Sequence, residues 1–101
     1  MHKLLISTIV ACGLFVAVNA QAGDAEAGKQ KSQSCVGCHG MGGKSNNPLY
    51  PHLKGQQKMY LIKALKAYRD GKREDPMMSS FAKSLSDADI EDLAAYYSSL
   101  K

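Results

Sequence analysis

The feature that most constrains this chain is the pentapeptide Cys35-Val36-Gly37-Cys38-His39. Two thiols stand three positions apart, with an imidazole directly after the second. The one other cysteine, Cys12, lies inside an N-terminal apolar run. A disulfide between Cys35 and Cys38 would close too small a loop to stabilise a domain much, because the entropy removed from the unfolded chain grows with loop length. The pair therefore has to act by holding something else.

The N-terminus says where it acts. Met1-His2-Lys3 is basic, Leu4 to Val18 is apolar, and small residues follow in Val18-Asn19-Ala20 and Ala20-Gln21-Ala22. That is the order of a secretory signal peptide. The alternative, a retained membrane anchor, is disfavoured by a run that is short for a span and contains Ser7, Thr8 and Gly13. Cleavage is expected after Ala22, with Ala20 the other candidate. Ile9-Val10-Ala11-Cys12 resembles a lipoprotein processing site, but the chain stays apolar after Cys12, so that cysteine is read as part of the leader. What remains is one domain over residues 23–101, 79 in all. A domain this small buries a limited core and often needs a staple. The whole chain carries a net charge of +4, and losing Lys3 brings it near +3. No Lys/Arg run interleaves with aromatics, which excludes a nucleic-acid partner.

Along residues 23–101 the periodicity is helical. Asp24 is placed to cap a helix running to about Ser34. Residues 40–55, rich in Gly, Asn and Pro, read as irregular chain. Gln56 to Arg69 reads as a helix with Leu61, Ala64, Leu65 and Tyr68 on one stripe, ended at Gly71. Gly71 to Met78 reads as a second loop, and Ser79 to Ser84 as a short helical turn. Ser86 and Asp89 form a capping box for a last helix whose stripe is Ile90, Leu93, Ala94 and Tyr97. No segment alternates as a strand. The class is all-α, with three to four helices and long loops. Such loops bring little apolar side chain of their own and need a surface to pack on. A large flat apolar cofactor supplies one.

C-x-x-C-H reads as a haem c attachment motif. Thiols about one helical turn apart reach the two vinyl groups on one porphyrin edge, and the histidine brings its Nε2 to the iron. Cys35 and Cys38 are thus the covalent haem sites and His39 an axial ligand. Structural zinc wants four ligands, and only His52 is an obvious addition to this set. A thioredoxin-like pair wants a βαβ context. A disulfide leaves His39 without a role. Gly42-Gly43-Lys44-Ser45 is not a phosphate-binding loop, because Cys38 stands where that pattern needs glycine and no strand precedes it.

The segments Gly28-Lys29, Ser34 to Gly40, Pro51-His52-Leu53-Lys54-Gly55-Gln56, Tyr60-Leu61, Gly71-Lys72-Arg73, Asp75-Pro76-Met77-Met78 and Leu85 to Tyr97 together resemble class I cytochromes c. They are similar to the small bacterial cytochromes grouped as c4, c5 and c553. The resemblance implies the class I cytochrome c fold, wrapped around one covalent haem. It implies a distal methionine, either Met77 or Met78, and the register to Leu85-Ser86-Asp87 selects Met78. It implies that the Pro51 carbonyl accepts from His39 Nδ1, that Leu53 packs on the haem face, and that Gly28 lets the last helix approach near Tyr97. Arg73 is left open between a haem propionate and solvent. Met41 and Met59 are read as apolar packing, and His52 as a solvent-facing loop residue.

The function so implied is single-electron transfer by a soluble periplasmic carrier, not catalysis. The expected partners are redox proteins such as a cytochrome oxidase, a bc1-type complex or a periplasmic reductase or dehydrogenase, with no small-molecule substrate. Lysines between the first helix and the end of the second form either a docking ring for an acidic partner or an ordinary solvated surface. Two other classes share these motifs. A haem sensor would need an open sixth position, and a small haem subunit would copurify with an enzyme. A peroxidase would need distal acid–base groups, for which a chain this short leaves little room.

Overall fold

The computed structural model describes residues 23–101, and the leader expected at 1–22, Cys12 included, lies outside them. Helix α1 (Ala25–Lys31) begins where Asp24 Oδ1 accepts the Glu26 N–H at 2.9 Å and the Ala27 N–H at 3.3 Å. These are donors that a helix start leaves without internal partners. The chain then tightens into a 3-10 turn at Ser32–Cys35 and opens again as α2 (Val36–His39). The expected first helix thus tapers into the cysteine motif. After a small-residue turn, residues 44–57 are irregular, as expected.

Helix α3 (Lys58–Arg69) carries two apolar faces where one stripe was expected. Leu61 and Ile62 are buried in the core, whereas Leu61, Ala64, Leu65 and Tyr68 line a cavity. Helix α4 (Pro76–Ala82) corrects the expected turn over 79–84. Asp75-Pro76 reads as loop punctuation but serves as N-cap and first helical residue. Proline's fixed φ and missing N–H suit that position. The preceding loop shrinks accordingly. Helix α5 (Asp87–Ser99) starts with the expected capping box: Ser86 Oγ accepts the Asp89 N–H and Asp89 Oδ2 accepts the Ser86 N–H, both at 3.0 Å.

The protein-built core is Leu61 and Ile62 of α3 against Ile90, Leu93, Ala94 and Tyr97 of α5. Helix α1 crosses the other side of α5 very closely. A Cβ on Gly28 would fall 1.9 Å from the Asp92 carbonyl oxygen and 2.8 Å from the Tyr96 Cβ. The close approach expected near Tyr97 is made at Asp92 and Tyr96. Charges clamp it, with Lys31 Nζ 2.8 Å from Asp89 Oδ1 and 2.6 Å from Asp92 Oδ2. The Asp24 N–H also donates to Asp92 Oδ1 at 2.8 Å. Arg69 ties α3 to the start of α5, donating from Nη1 to Asp87 Oδ1 at 2.7 Å and to the Leu85 carbonyl at 3.3 Å.

Met41 and Met59 depart from expectation. They are 79% and 72% exposed, each at the start of its element. Among the described residues there is no strand, and no helix is long and apolar enough to cross a membrane.

Candidate cofactor site

The gap between α2, α3, α4 and α5 is a cavity of about 340 Å³. One wall is the cysteine motif: Cys35, Cys38 and His39 all line it, and neither thiol is in a disulfide. Helix α4 contributes Met77, Met78, Phe81 and Ala82 to the same lining. Leu61, Ala64 and Leu65 of α3 and Leu93 and Ala94 of α5 add an apolar lining.

His39 is 6% exposed, and its ring is held by one hydrogen bond. Its Nδ1 lies 2.8 Å from the Pro51 carbonyl oxygen. A carbonyl only accepts, so Nδ1 carries the proton. That leaves Nε2 as the nitrogen with a free lone pair. Tyr50 stacks edge-on to the imidazole, with ring centroids 6.4 Å apart. Pro51 is held close by its neighbours. The Leu53 N–H bonds the Gly43 carbonyl at 2.8 Å, which ties the Pro51 segment to the turn after the motif. Leu53 itself lines the cavity and packs against the core.

His52 is exposed and does not join the site. Its Nδ1 accepts the Ser45 N–H at 2.9 Å and so pins the loop. No group of three or more His, Cys, Asp or Glu able to hold a bare metal ion occurs among the described residues. A zinc site therefore lacks its donors.

Helix α4 presents its methionines in order. Met78 and Ala82 stand at i and i+4 on one face, and Ala82 is fully buried. Met78 is half-buried on this inward side, whereas Met77 is 52% exposed. Asp75 Oδ1 accepts the N–H of both methionines, at 3.0 and 2.9 Å, which fixes the turn they stand on. Tyr97 lines the cavity and is buried. Its hydroxyl is in hydrogen-bonding contact with Cys35 and Ser32, and burial first, then Cys35, push the phenol well above its ordinary value. It stays a neutral donor.

The cavity fits a porphyrin on its own evidence. Leu49, Tyr60, Met77 and Phe81 all line it, yet all remain exposed, Leu49 at 82%. An apolar mouth of this kind is uncommon on a free surface and marks a binding site. Two free thiols and a nitrogen lone pair face the same apolar space as two thioethers. Leu49, Tyr50, Tyr60 and Phe81 were not among the expected site residues. Of these only Tyr60 carried a signal, as part of the Tyr60-Leu61 match.

Comparison with known proteins agrees with this geometry. A family model described as cytochrome c matches residues 25–101. Cytochrome c-554(548) of Halomonas halodenitrificans is 52% identical over 77% of this chain and 98% of its own length. A thiosulfate dehydrogenase electron acceptor of Thiomonas intermedia is 44% identical over 70% of this chain and 33% of its own length. The structure of reduced recombinant cytochrome c4 from Pseudomonas stutzeri superposes with a TM-score of 0.75. It is 43% identical, over 79% of this chain and 47% of that one. The chain spans about half the length of the cytochromes c4 it matches.

Proposed function

The chain belongs to the cytochrome c family of electron carriers that hold haem c, and we propose that this member is a periplasmic single-electron carrier with His39 and Met78 as its iron ligands. When bound, the haem supplies a one-electron couple between ferric and ferrous iron, at a potential that Met/His ligation raises. Cys35 and Cys38 would hold the porphyrin through their sulfurs. The Pro51 carbonyl fixes the His39 tautomer, keeps Nε2 available and makes it a stronger donor. Met78 would contribute its thioether from the inward side of α4, on a turn that the Asp75 cap holds. The lining from α3 and α5 excludes water.

The observation that carries this reading is the His39–Pro51 hydrogen bond, set in an apolar cavity beside two free thiols. It leaves His39 Nε2 unprotonated, a lone-pair donor with no hydrogen-bond partner among the described residues. The leader at 1–22 supports export, and the site needs no substrate pocket beyond the cofactor's own. Redox proteins are the partners: a cytochrome oxidase, a bc1-type complex or a periplasmic reductase or dehydrogenase. The relative named as an electron acceptor of thiosulfate dehydrogenase favours the last class.

The test is visible spectroscopy of the purified protein, oxidised and reduced, for wild type, Met78→Ala and Met77→Ala. The expected result is covalent haem with a ferric methionine charge-transfer band that disappears in M78A and persists in M77A. Covalent haem without that band in the wild type would mean an open sixth position and would overturn the ligand assignment in favour of ligand sensing. Loss of the band in M77A alone would transfer the role to Met77.

A further inference from the structure

Among the described residues, Tyr97 is the one member of the buried core that carries a polar group, and it is 3% exposed. A phenol hydroxyl buried to that degree needs a hydrogen-bond partner. It meets two groups, both from the segment between α1 and α2: Ser32 Oγ and Cys35 Sγ. Cys35 packs against the same core and lines the cavity together with Tyr97. The loop after the cysteine motif holds the tyrosine from another side. A Cβ on Gly43 would lie 2.9 Å from Tyr97 Cδ1, and the Gly55 N–H donates to the Tyr97 carbonyl at 2.8 Å. The phenol is therefore fixed beside one of the two thiols. The Cys38 thiol has no hydrogen-bond partner among the described residues.

Ser32 is 5% exposed and donates its own O–H to the Lys29 carbonyl at 2.6 Å. A hydroxyl has one proton and two lone pairs, so toward Tyr97 Ser32 can only accept. A free thiol both donates and accepts weakly. Haem attachment removes that choice. The thiol adds across a vinyl group, its sulfur bonding one carbon and its hydrogen the other, with no net oxidation. The thioether sulfur carries no proton and only accepts. The Tyr97 O–H then stands between two acceptors, Ser32 Oγ and that sulfur.

We propose that Tyr97 is a positioning residue of the haem attachment edge, its hydroxyl donating to the Cys35 sulfur so that one thioether bridge is hydrogen-bonded and the other is not. This rests on the haem reading above. The O–H dipole turns its positive end toward a sulfur joined to the porphyrin edge. A positive end there favours the ferrous state, which carries one positive charge fewer. Burial keeps the phenol protonated, so the donor persists at neutral pH.

The experiment compares wild-type holo-protein with Tyr97→Phe, Ser32→Ala and Tyr96→Phe. Tyr96 is the neighbouring phenol, its ring centroid 5.0 Å from that of Tyr97, and it lies outside the cavity lining. The readouts are the ferrous-to-ferric ratio at a fixed applied potential and the proton NMR shifts of the haem methyls in the ferric protein. Y97F removes the donor and keeps the ring. It is expected to lower the ratio about twofold, because a neutral hydrogen bond is weak and the iron feels part of it. The haem methyl beside the Cys35 bridge should shift more than the one beside the Cys38 bridge. S32A removes the competing acceptor, commits the Tyr97 proton to the sulfur and raises the ratio. Y96F changes neither readout. Loosened packing would move Y97F and S32A in the same direction. That result, or a Y97F protein equal to wild type in both readouts with the haem spectrum intact, would overturn the role of Tyr97 alone. Absence of covalent haem from the wild type would overturn it together with the reading it rests on.

Discussion

Replacing Gly28 by alanine sets two effects of known sign against each other. Alanine is the better helix former by about 1 kcal/mol, so on an isolated helix the change would stabilise. In this fold the new methyl would lie 1.9 Å from the Asp92 carbonyl oxygen and 2.6 Å from its carbon, with the Tyr96 Cβ at 2.8 Å. Ordinary contact begins near 3.4 Å, so α1 and α5 must part by about 1.5 Å. The obstacle is helical backbone, which cannot rotate aside as a side chain would. Parting the helices also stretches the Asp24–Asp92 and Lys31–Asp92 contacts, both now under 3 Å. Overpacking costs about 1–3 kcal/mol, and a backbone obstacle places this case at the upper end. After the gain in propensity the net loss is about 2 kcal/mol. For a domain this size that lowers the Tm by about 8–16 °C. Thermal unfolding of the holo-protein, followed by far-ultraviolet circular dichroism and haem absorbance together, measures it. Gly37 is the control, because a Cβ there meets nothing within 4 Å and G37A should hold or gain stability. A G28A protein that melts at or above the wild-type temperature would refute the close-crossing argument.

Asp75→Ala removes the α4 cap at a cost of about 1 kcal/mol, whereas Asp75→Asn retains it; the methionine band should fade at a lower temperature in D75A than in D75N or wild type. Lys31 is the first cause holding the Asp89 and Asp92 carboxyls below the usual carboxylate range. Carboxyls depressed in this way stabilise the fold above their unfolded pKa and lose that contribution as pH falls through the folded value. Lys31→Met should therefore melt below wild type at neutral pH, with the gap closing on acidification and in high salt. His52→Ala leaves the Ser45 N–H without its acceptor, at a cost on the order of 1 kcal/mol; hydrogen exchange at the Ser45 amide should accelerate while the haem spectrum stays unchanged.

The cysteine motif and the helix starts at Asp24 and Ser86 were legible in the sequence because each depends on residues a few positions apart. Local covalent spacing and local hydrogen bonds decide such features without reference to the rest of the chain. Asp75-Pro76 was equally local, but its residues serve loops and helix starts alike, and only the completed helix distinguishes the two. The stripe on α3 shows how far periodicity reaches. It identified an apolar face correctly, but apolar character does not say whether the neighbour is protein or cofactor. The same rule overlooked Ile62, which turns to the α5 core while Ala64, Leu65 and Tyr68 turn to the cavity. Met41 and Met59 are exposed among the described residues, and hydropathy alone does not say which apolar side chains find a neighbour.

The sequence by itself determined the family and its cofactor class, the all-helical class and the places where two of the main helices begin. The tertiary structure alone decided which carbonyl Gly28 must clear, which side of α4 faces inward, and that the Tyr97 hydroxyl meets Cys35. Those depend on distances between residues far apart in the chain, which are set by how whole helices pack and not by any local preference.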